Sequence, residues 1–140
     1  MAHAESGSAA RPRPTSPHLQ IYSPMINMVM SIVHRMTGAA LYFGSLLLAI
    51  WLIAAAMGPE AFDQVNVLFG SFLGRLVLIG YTWALLHHML GGIRHLIWDT
   101  GRGLDINTAD FLCWTSIILS LALTAVIWLA ATGVLGGTAS

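Results

Sequence analysis

Apolar residues dominate three long stretches of the chain, and polar residues gather before and between them. Met36–Met57 and Phe111–Leu135 carry no charged residue, while Leu76–Ile97 is interrupted only by three histidines and one arginine. The hydrocarbon core of a bilayer is about 30 Å thick, and about 20 helical residues cross it. The pattern therefore predicts an all-α integral membrane protein with three transmembrane helices. The predicted spans cover about residues 33–57, 68–98 and 110–135.

Composition supports lipid as the main solvent of this chain. Its 140 residues are 56% hydrophobic and only 9% charged, whereas soluble domains carry roughly a quarter charged residues. Prolines keep the polar start of the chain extended. We therefore expect an extended N-terminal arm over residues 1–30 and a three-helix transmembrane domain over residues 31–140.

Charge and cysteine content exclude several functions. The formal net charge is zero, so no basic surface for nucleic acid is expected. The single cysteine, Cys113, can form no intrachain disulfide and cannot hold an iron–sulfur cluster alone.

The arginines indicate how the chain is oriented. All but Arg75 lie in the arm, at the start of helix one or around the second loop, whereas the first loop carries Glu60 and Asp63. Because positive residues are retained on the cytoplasmic side, the arm and the second loop are predicted to be cytoplasmic. In a bacterial inner membrane the arm would then face the cytoplasm, and in an inner mitochondrial membrane it would face the matrix.

Polar and ionisable side chains of helices one and two converge on one membrane face. Such groups are costly in lipid, so each is a functional candidate. The start of helix one and the end of helix two contribute Ser31, His34, Arg35, His88, Arg94, His95 and Asp99.

His88 is the deepest of these groups, roughly 14 Å inside the boundary, and His95 lies on the same helix face. A neutral imidazole at that depth needs a backbone carbonyl, a proton pathway or a metal as partner. Gly91 and Gly92 leave a flat groove that suits a porphyrin or the approach of another helix. His87 points about 100° away, towards a neighbouring helix or the lipid.

A deep imidazole below shallow cations suits haem, whose iron binds imidazole and whose propionates are anions. Two adjacent histidines on one helix cannot occupy opposite axial positions on one iron, so a six-coordinate haem would need its second histidine from another chain. Ser31 and Arg35 share one helix face and can donate hydrogen bonds to a quinone carbonyl. Equally, Ser31 can be a helix cap, and the arginines can be plain membrane anchors.

Three segments match the motifs of one known family in the same order. They are Arg11–Tyr22 (RPRPTSPHLQIY), Ser31–Gly38 (SIVHRMTG) and His88–Asp99 (HMLGGIRHLIWD). Together they resemble the cytochrome b membrane-anchor subunit of succinate dehydrogenase, respiratory complex II. The resemblance covers almost the whole chain, and the first segment is similar to the branch shared by alphaproteobacteria and mitochondria.

The resemblance implies that His88 is the axial iron ligand of haem b. It further implies that His34, Arg35 and His95 contact the haem propionates. The other haem histidine comes from the second membrane-anchor subunit in this family.

The resemblance also implies a ubiquinone-reduction site. Ser31 and Arg35 would lie at the quinone head group, and Asp99 would lie close by and take part in proton delivery. Succinate would be oxidised in a flavoprotein subunit, and electrons would reach ubiquinone through an iron–sulfur subunit. The chain has no flavin motif and no cysteine cluster, so it would not be catalytic alone.

Two alternatives remain from sequence. One is a fumarate reductase anchor that uses menaquinone, and the other is a structural anchor or small transporter without a cofactor. The roles of His87, Arg75 and Trp83 are not assigned.

Overall fold

A computed structural model describes residues 16–133, and this part of the chain contains four α-helices and no strand. The helices are α1 (Ile26–Met57), α2 (Pro59–Gly70), α3 (Phe72–Asp99) and α4 (Ile106–Ala131). α1, α3 and α4 have 32, 28 and 26 residues and are long and apolar enough to cross a membrane. The predicted all-α integral membrane fold with three spans is confirmed. Residues 1–15 of the expected arm and the last residues of the third predicted span lie outside the described residues.

α1 begins earlier than the first apolar stretch. It starts at Ile26, so it includes residues 26–30, which the sequence assigned to the arm. Pro24 is the last residue that opposes a helix here, and Asn27 and Met30 turn inwards against the other helices. Met25 occupies the N-cap position, so Ser31 lies in the second turn and does not cap the helix.

The first loop contains a helix that the sequence did not predict. α2 begins with Pro59 at its first position, where a missing N–H costs nothing. Its 12 residues span about 18 Å, too short to cross a membrane. The Trp51 indole donates to Asn66 Oδ1 at 3.1 Å and thereby ties α2 back to α1.

Small and weakly polar residues form the buried face of α4. The buried face of α4 recurs every three or four residues and consists of Ala109, Cys113, Ser116, Ser120 and Thr124. In lipid no hydrophobic force drives helices together, so small side chains that permit close packing take that role. Three of the hydroxyls donate to carbonyls of their own helix, which satisfies them without water.

The packing of α1 on α3 places the polar ends of both helices together. Near the middle of α1 the Tyr81 ring lies directly over Gly44, where a Cβ would collide with it. The chain therefore has two ends: the α2 end, and the opposite end, where α1 begins and α3 meets α4. We call the latter the histidine end, because His34, His88 and His95 lie towards it.

Candidate functional site

Two histidine rings stack flat against each other between α1 and α3. The rings of His34 and His88 have centroids 4.0 Å apart and planes 4° apart. Glycines on the facing helices make the room: a Cβ at Gly38 would lie 3.0 Å from His88 Cε1, and one at Gly91 would lie 2.5 Å from His34 Nδ1. The groove expected beside Gly91 is therefore filled by the chain's own His34 ring, whereas no atom lies within 4 Å of a Cβ at Gly92.

The hydrogen bonds of His88 determine which ring nitrogen is free. His88 Nδ1 lies 3.1 Å from the backbone oxygen of His34 and 3.3 Å from Thr37 Oγ1. A carbonyl oxygen only accepts, so Nδ1 carries the proton and Nε2 keeps its lone pair. Metal-binding histidines have this arrangement, with the other ring N–H donated to a carbonyl or carboxylate. His88 therefore fits the role of a metal ligand through Nε2.

His95 continues the aromatic cluster towards the surface. Its ring centroid lies 5.3 Å from that of His34 and 5.4 Å from that of Trp98. The Trp98 indole donates to the Gly103 carbonyl oxygen at 2.9 Å, which fixes the end of α3 against the loop to α4. The three histidines expected to act together are thus contiguous.

A cavity of about 400 Å³ opens beside this cluster at the histidine end. Its lining combines hydrogen-bonding and apolar side chains: Met25, Asn27, Ser31, Arg94, His95, Trp98, Leu104, Ile106 and Ala109. A volume of this size lies within the range of small-molecule sites. Ser31 and His95, predicted from sequence to have different ligands, face the same space.

Arg94 lies in a buried polar network that sequence reasoning missed. Its side chain is 3% exposed, and Nη1 donates to Cys113 Sγ at 3.2 Å. The Cys113 thiol donates to Asn27 Oδ1 at 2.9 Å, and Asn27 Nδ2 donates to Asp110 Oδ1 at 2.6 Å. The chain of bonds joins α3, α4 and α1. The charge of Arg94 inside an apolar stretch was the one sequence signal for this network. Its partner Asn27 could not be recognised, because the sequence assigned residue 27 to the arm and not to a helix.

Comparison with known proteins decides the family. The sequence model of one protein family, described as the succinate dehydrogenase/fumarate reductase transmembrane subunit, matches residues 9–134. The chain belongs to this family. The match includes all three motif segments in full.

Curated relatives agree with this assignment. The succinate dehydrogenase cytochrome b556 subunit of Rickettsia felis is 39% identical over 116 residues, which cover 83% of this chain and 90% of the relative. The subunit of the same name from Paracoccus denitrificans is 45% identical over 97 residues, 69% of this chain and 75% of the relative. The mitochondrial cytochrome b560 subunit of Sus scrofa is 38% identical over 99 residues, 67% of this chain and 57% of the relative. The resemblance inferred from the motifs is confirmed, including its bacterial and mitochondrial members.

In this succinate dehydrogenase-type subunit, Arg35 and Asp99 do not join the cavity. Both side chains are exposed, and neither belongs to the cavity lining. Ser31 is exposed too, although it lies at the cavity edge. Ser31 and Arg35 lie on a face of α1 that the other described helices leave uncovered.

His87 serves the helix interface of this subunit and not the histidine cluster. It is 1% exposed, its Nδ1 lies 3.2 Å from Ser120 Oγ, and its ring stacks on Trp83 at 5.2 Å. From its 100° offset, His87 was expected to face either a neighbouring helix or the lipid. The structure shows the contact with a neighbouring helix. His87, which sequence left without a role, thus packs α3 against α4, and Trp83 supports its ring from the same helix.

Proposed function

We propose that this chain is the haem b-binding membrane anchor of a succinate dehydrogenase, helps form its ubiquinone-reduction site and holds the flavoprotein and iron–sulfur subunits at the membrane. The observation that carries the proposal is the His88 imidazole, with Nδ1 committed to the His34 carbonyl and Nε2 left with its lone pair. The names of the relatives, cytochromes b556 and b560, support a haem. The chain would act as a subunit and not as a catalyst alone.

The residues at the histidine end fit the demands of a haem group. His88 would hold the iron as axial ligand, and the iron would supply a one-electron carrier. Arg35 and His95 are exposed and able to donate to propionate oxygens, whereas His34 presents a ring whose Nδ1 is covered by Gly91. His34 would therefore reach a propionate only through its other nitrogen. The second axial histidine would come from the second membrane-anchor subunit.

Ser31, Arg35 and Asp99 would serve ubiquinone. The Ser31 hydroxyl at the cavity edge can donate to a quinone carbonyl oxygen. Arg35 lies one turn along the same face of α1, outside the cavity lining, and its guanidinium would stabilise charge on the quinone from that exposed side. Asp99, exposed at the end of α3, can exchange protons with water near the site. Electrons from succinate would arrive through the flavoprotein and iron–sulfur subunits, and two electrons with two protons give ubiquinol.

The same proposal sets the orientation in the inner membrane. The arm and the loop with Arg102 at the histidine end would face the cytoplasm, or the matrix in a mitochondrion, while Glu60 and Asp63 on α2 would face the other side. The family model also covers fumarate reductase anchors. The relatives described above are all succinate dehydrogenase subunits, which favours succinate oxidation over fumarate reduction.

Replacing Ser31 with alanine tests the quinone part of the proposal. In S31A we expect ubiquinone reduction by succinate to fall at least tenfold, because a hydrogen bond to the reacting oxygen is lost. Succinate oxidation by an artificial dye should be unchanged, since it needs only the soluble subunits. Ser45, an exposed serine further along α1, provides the matched control S45A, which should leave both activities intact. An equal fall of both activities in S31A would indicate an assembly role and overturn the quinone assignment.

A further inference from the structure

Arg94, whose guanidinium carries a positive charge, is one of the residues that line the cavity at the histidine end. It is held from two sides, by the hydrogen bond to Cys113 and by the Trp98 ring, whose centroid lies 5.2 Å from Arg94 Cζ. An arginine over an indole face gains a cation–π interaction. These two contacts fix where the positive charge lies.

No carboxylate of residues 16–133 pairs directly with this charge. The hydrogen-bond partner is a neutral thiol, and the acid of the network, Asp110, is reached only through Cys113 and Asn27. Arg94 Nε is buried and has no hydrogen-bond partner within the described residues. Burying a charged group without a counter-ion is costly, and in a membrane such a residue marks a site of function.

The cavity beside Arg94 is suited to a neutral ring compound, such as a quinone, whose oxygen atoms gain negative charge when it is reduced. Ser31 and His95 offer further polar groups, while Met25, Leu104 and Ile106 supply apolar walls. Among residues 16–133, no carboxylate lines the space. A permanently buried positive charge in such a cavity stabilises an oxygen atom that gains negative charge more than it stabilises the neutral carbonyl. That difference accelerates reduction without tightening substrate binding.

We propose that Arg94 is a further residue of the quinone site and stabilises the negative charge that develops on a quinone oxygen during reduction. The inference rests on the proposed ubiquinone-reducing function. The iron–sulfur subunit supplies two electrons, and water-connected groups supply two protons, so that both carbonyl oxygens become hydroxyls. Arg94 donates hydrogen bonds throughout and is neither oxidised nor deprotonated. It complements Arg35, which lies outside the cavity lining.

The test is the Arg94→Gln variant of the whole membrane complex, with Arg75→Gln as the matched control. Arg75 lies on the same helix and is exposed at its other end, so R75Q removes the same charge away from the cavity. In R94Q we expect kcat for ubiquinone reduction to fall about a hundredfold with little change in KM. Dye reduction should be unchanged, and the quinone radical signal in an EPR redox titration should be lost. A wild-type kcat and a wild-type radical signal in assembled R94Q would overturn the proposal.

If the R94Q complex does not assemble, the Arg94→Lys variant provides the test of the role proposed for Arg94. Lysine keeps the charge but lacks the planar fork that Cys113 and Trp98 hold, so we expect kcat about tenfold below wild type. A wild-type kcat in R94K contradicts the proposal. So does a dye activity that falls in parallel with quinone reduction.

Further outcomes distinguish this proposal from a haem-binding role of Arg94 and from a failure of the proposed quinone site as a whole. A haem redox potential that shifts in R94Q while quinone kinetics stay normal would assign Arg94 to a haem carboxylate and overturn the quinone role. If S31A lowers quinone reduction and R94Q does not, only the Arg94 inference fails. If neither variant affects quinone reduction, the proposed quinone site itself is wrong.

Discussion

The imidazole of His88 is restrained at two points, by the His34 carbonyl at Nδ1 and by the flat face of the His34 ring. One residue thus supplies both the hydrogen bond that selects the tautomer and the surface that sets the ring plane. Because Gly38 and Gly91 provide the space for these rings, the arrangement depends on two missing side chains as much as on two imidazoles. Sequence placed both histidines at one membrane face, but it could not show their stacking, since contacts across helices depend on helix rotation.

A methyl group at Gly91 tests this packing. In G91A the new Cβ would lie 2.5 Å from His34 Nδ1, so the ring must shift, and we expect a loss of about 1–3 kcal/mol in stability. G92A is the control, because its Cβ meets no atom of the chain within 4 Å, and alanine is the better helix former. The measurement is the thermal unfolding midpoint of the solubilised complex. Equal shifts in both variants would contradict the assigned contact.

At the scale of helices, the sequence was enough to predict the long apolar spans, but it was not enough to predict the polar contacts between helices. A span must be apolar over about 20 residues whatever its partners, so α1, α3 and α4 could be predicted from one sequence. α2 was missed because Pro59, Glu60 and Asp63 resemble a loop. The Arg94–Cys113–Asn27–Asp110 network was missed because it joins three helices, and the register between helices is set only by packing.

The start of α4 offers a pH-dependent test at this scale. The Asp105 side chain accepts from the Thr108 backbone N–H at 2.9 Å, and this hydrogen bond lowers the pKa of the Asp105 carboxyl below its usual value. A carboxyl with a lowered folded-state pKa stabilises the fold above its unfolded pKa, and the contribution disappears as pH falls through the folded pKa.

We therefore expect the wild-type complex to unfold at a higher temperature than D105N near neutral pH, with a difference that shrinks as the pH falls below the ordinary pKa of an aspartate carboxyl. Asparagine is the suitable replacement because it keeps a capping oxygen. The measurement is a series of thermal unfolding midpoints across that pH range. A difference that stays constant with pH would show that the cap carboxylate contributes nothing through its charge.

At the scale of the molecule, the chain is a partly covered bundle with its chemistry at one end. Much of its large apolar surface is exposed in isolation, including Phe43, Phe72 and Phe111, as suits contact with lipid and with other membrane helices. The exposed faces of Ser31 and Arg35 and the free His88 Nε2 also point to groups outside the chain. Membership of a multisubunit enzyme family accounts for both features, and one sequence could reveal the need for partners but not the surfaces they cover.

The most direct test of the proposed function is the haem coordination of the assembled complex when His88 or His87 is replaced. His88→Ala should abolish the low-spin b-type haem signal, measured by EPR and by the reduced-minus-oxidised spectrum per mole of flavin. His87→Gln, which changes the adjacent residue but keeps a polar partner for Ser120, should leave that signal as in the wild type. A wild-type low-spin signal in H88A, or its loss in H87Q alone, would show that His88 does not bind the iron.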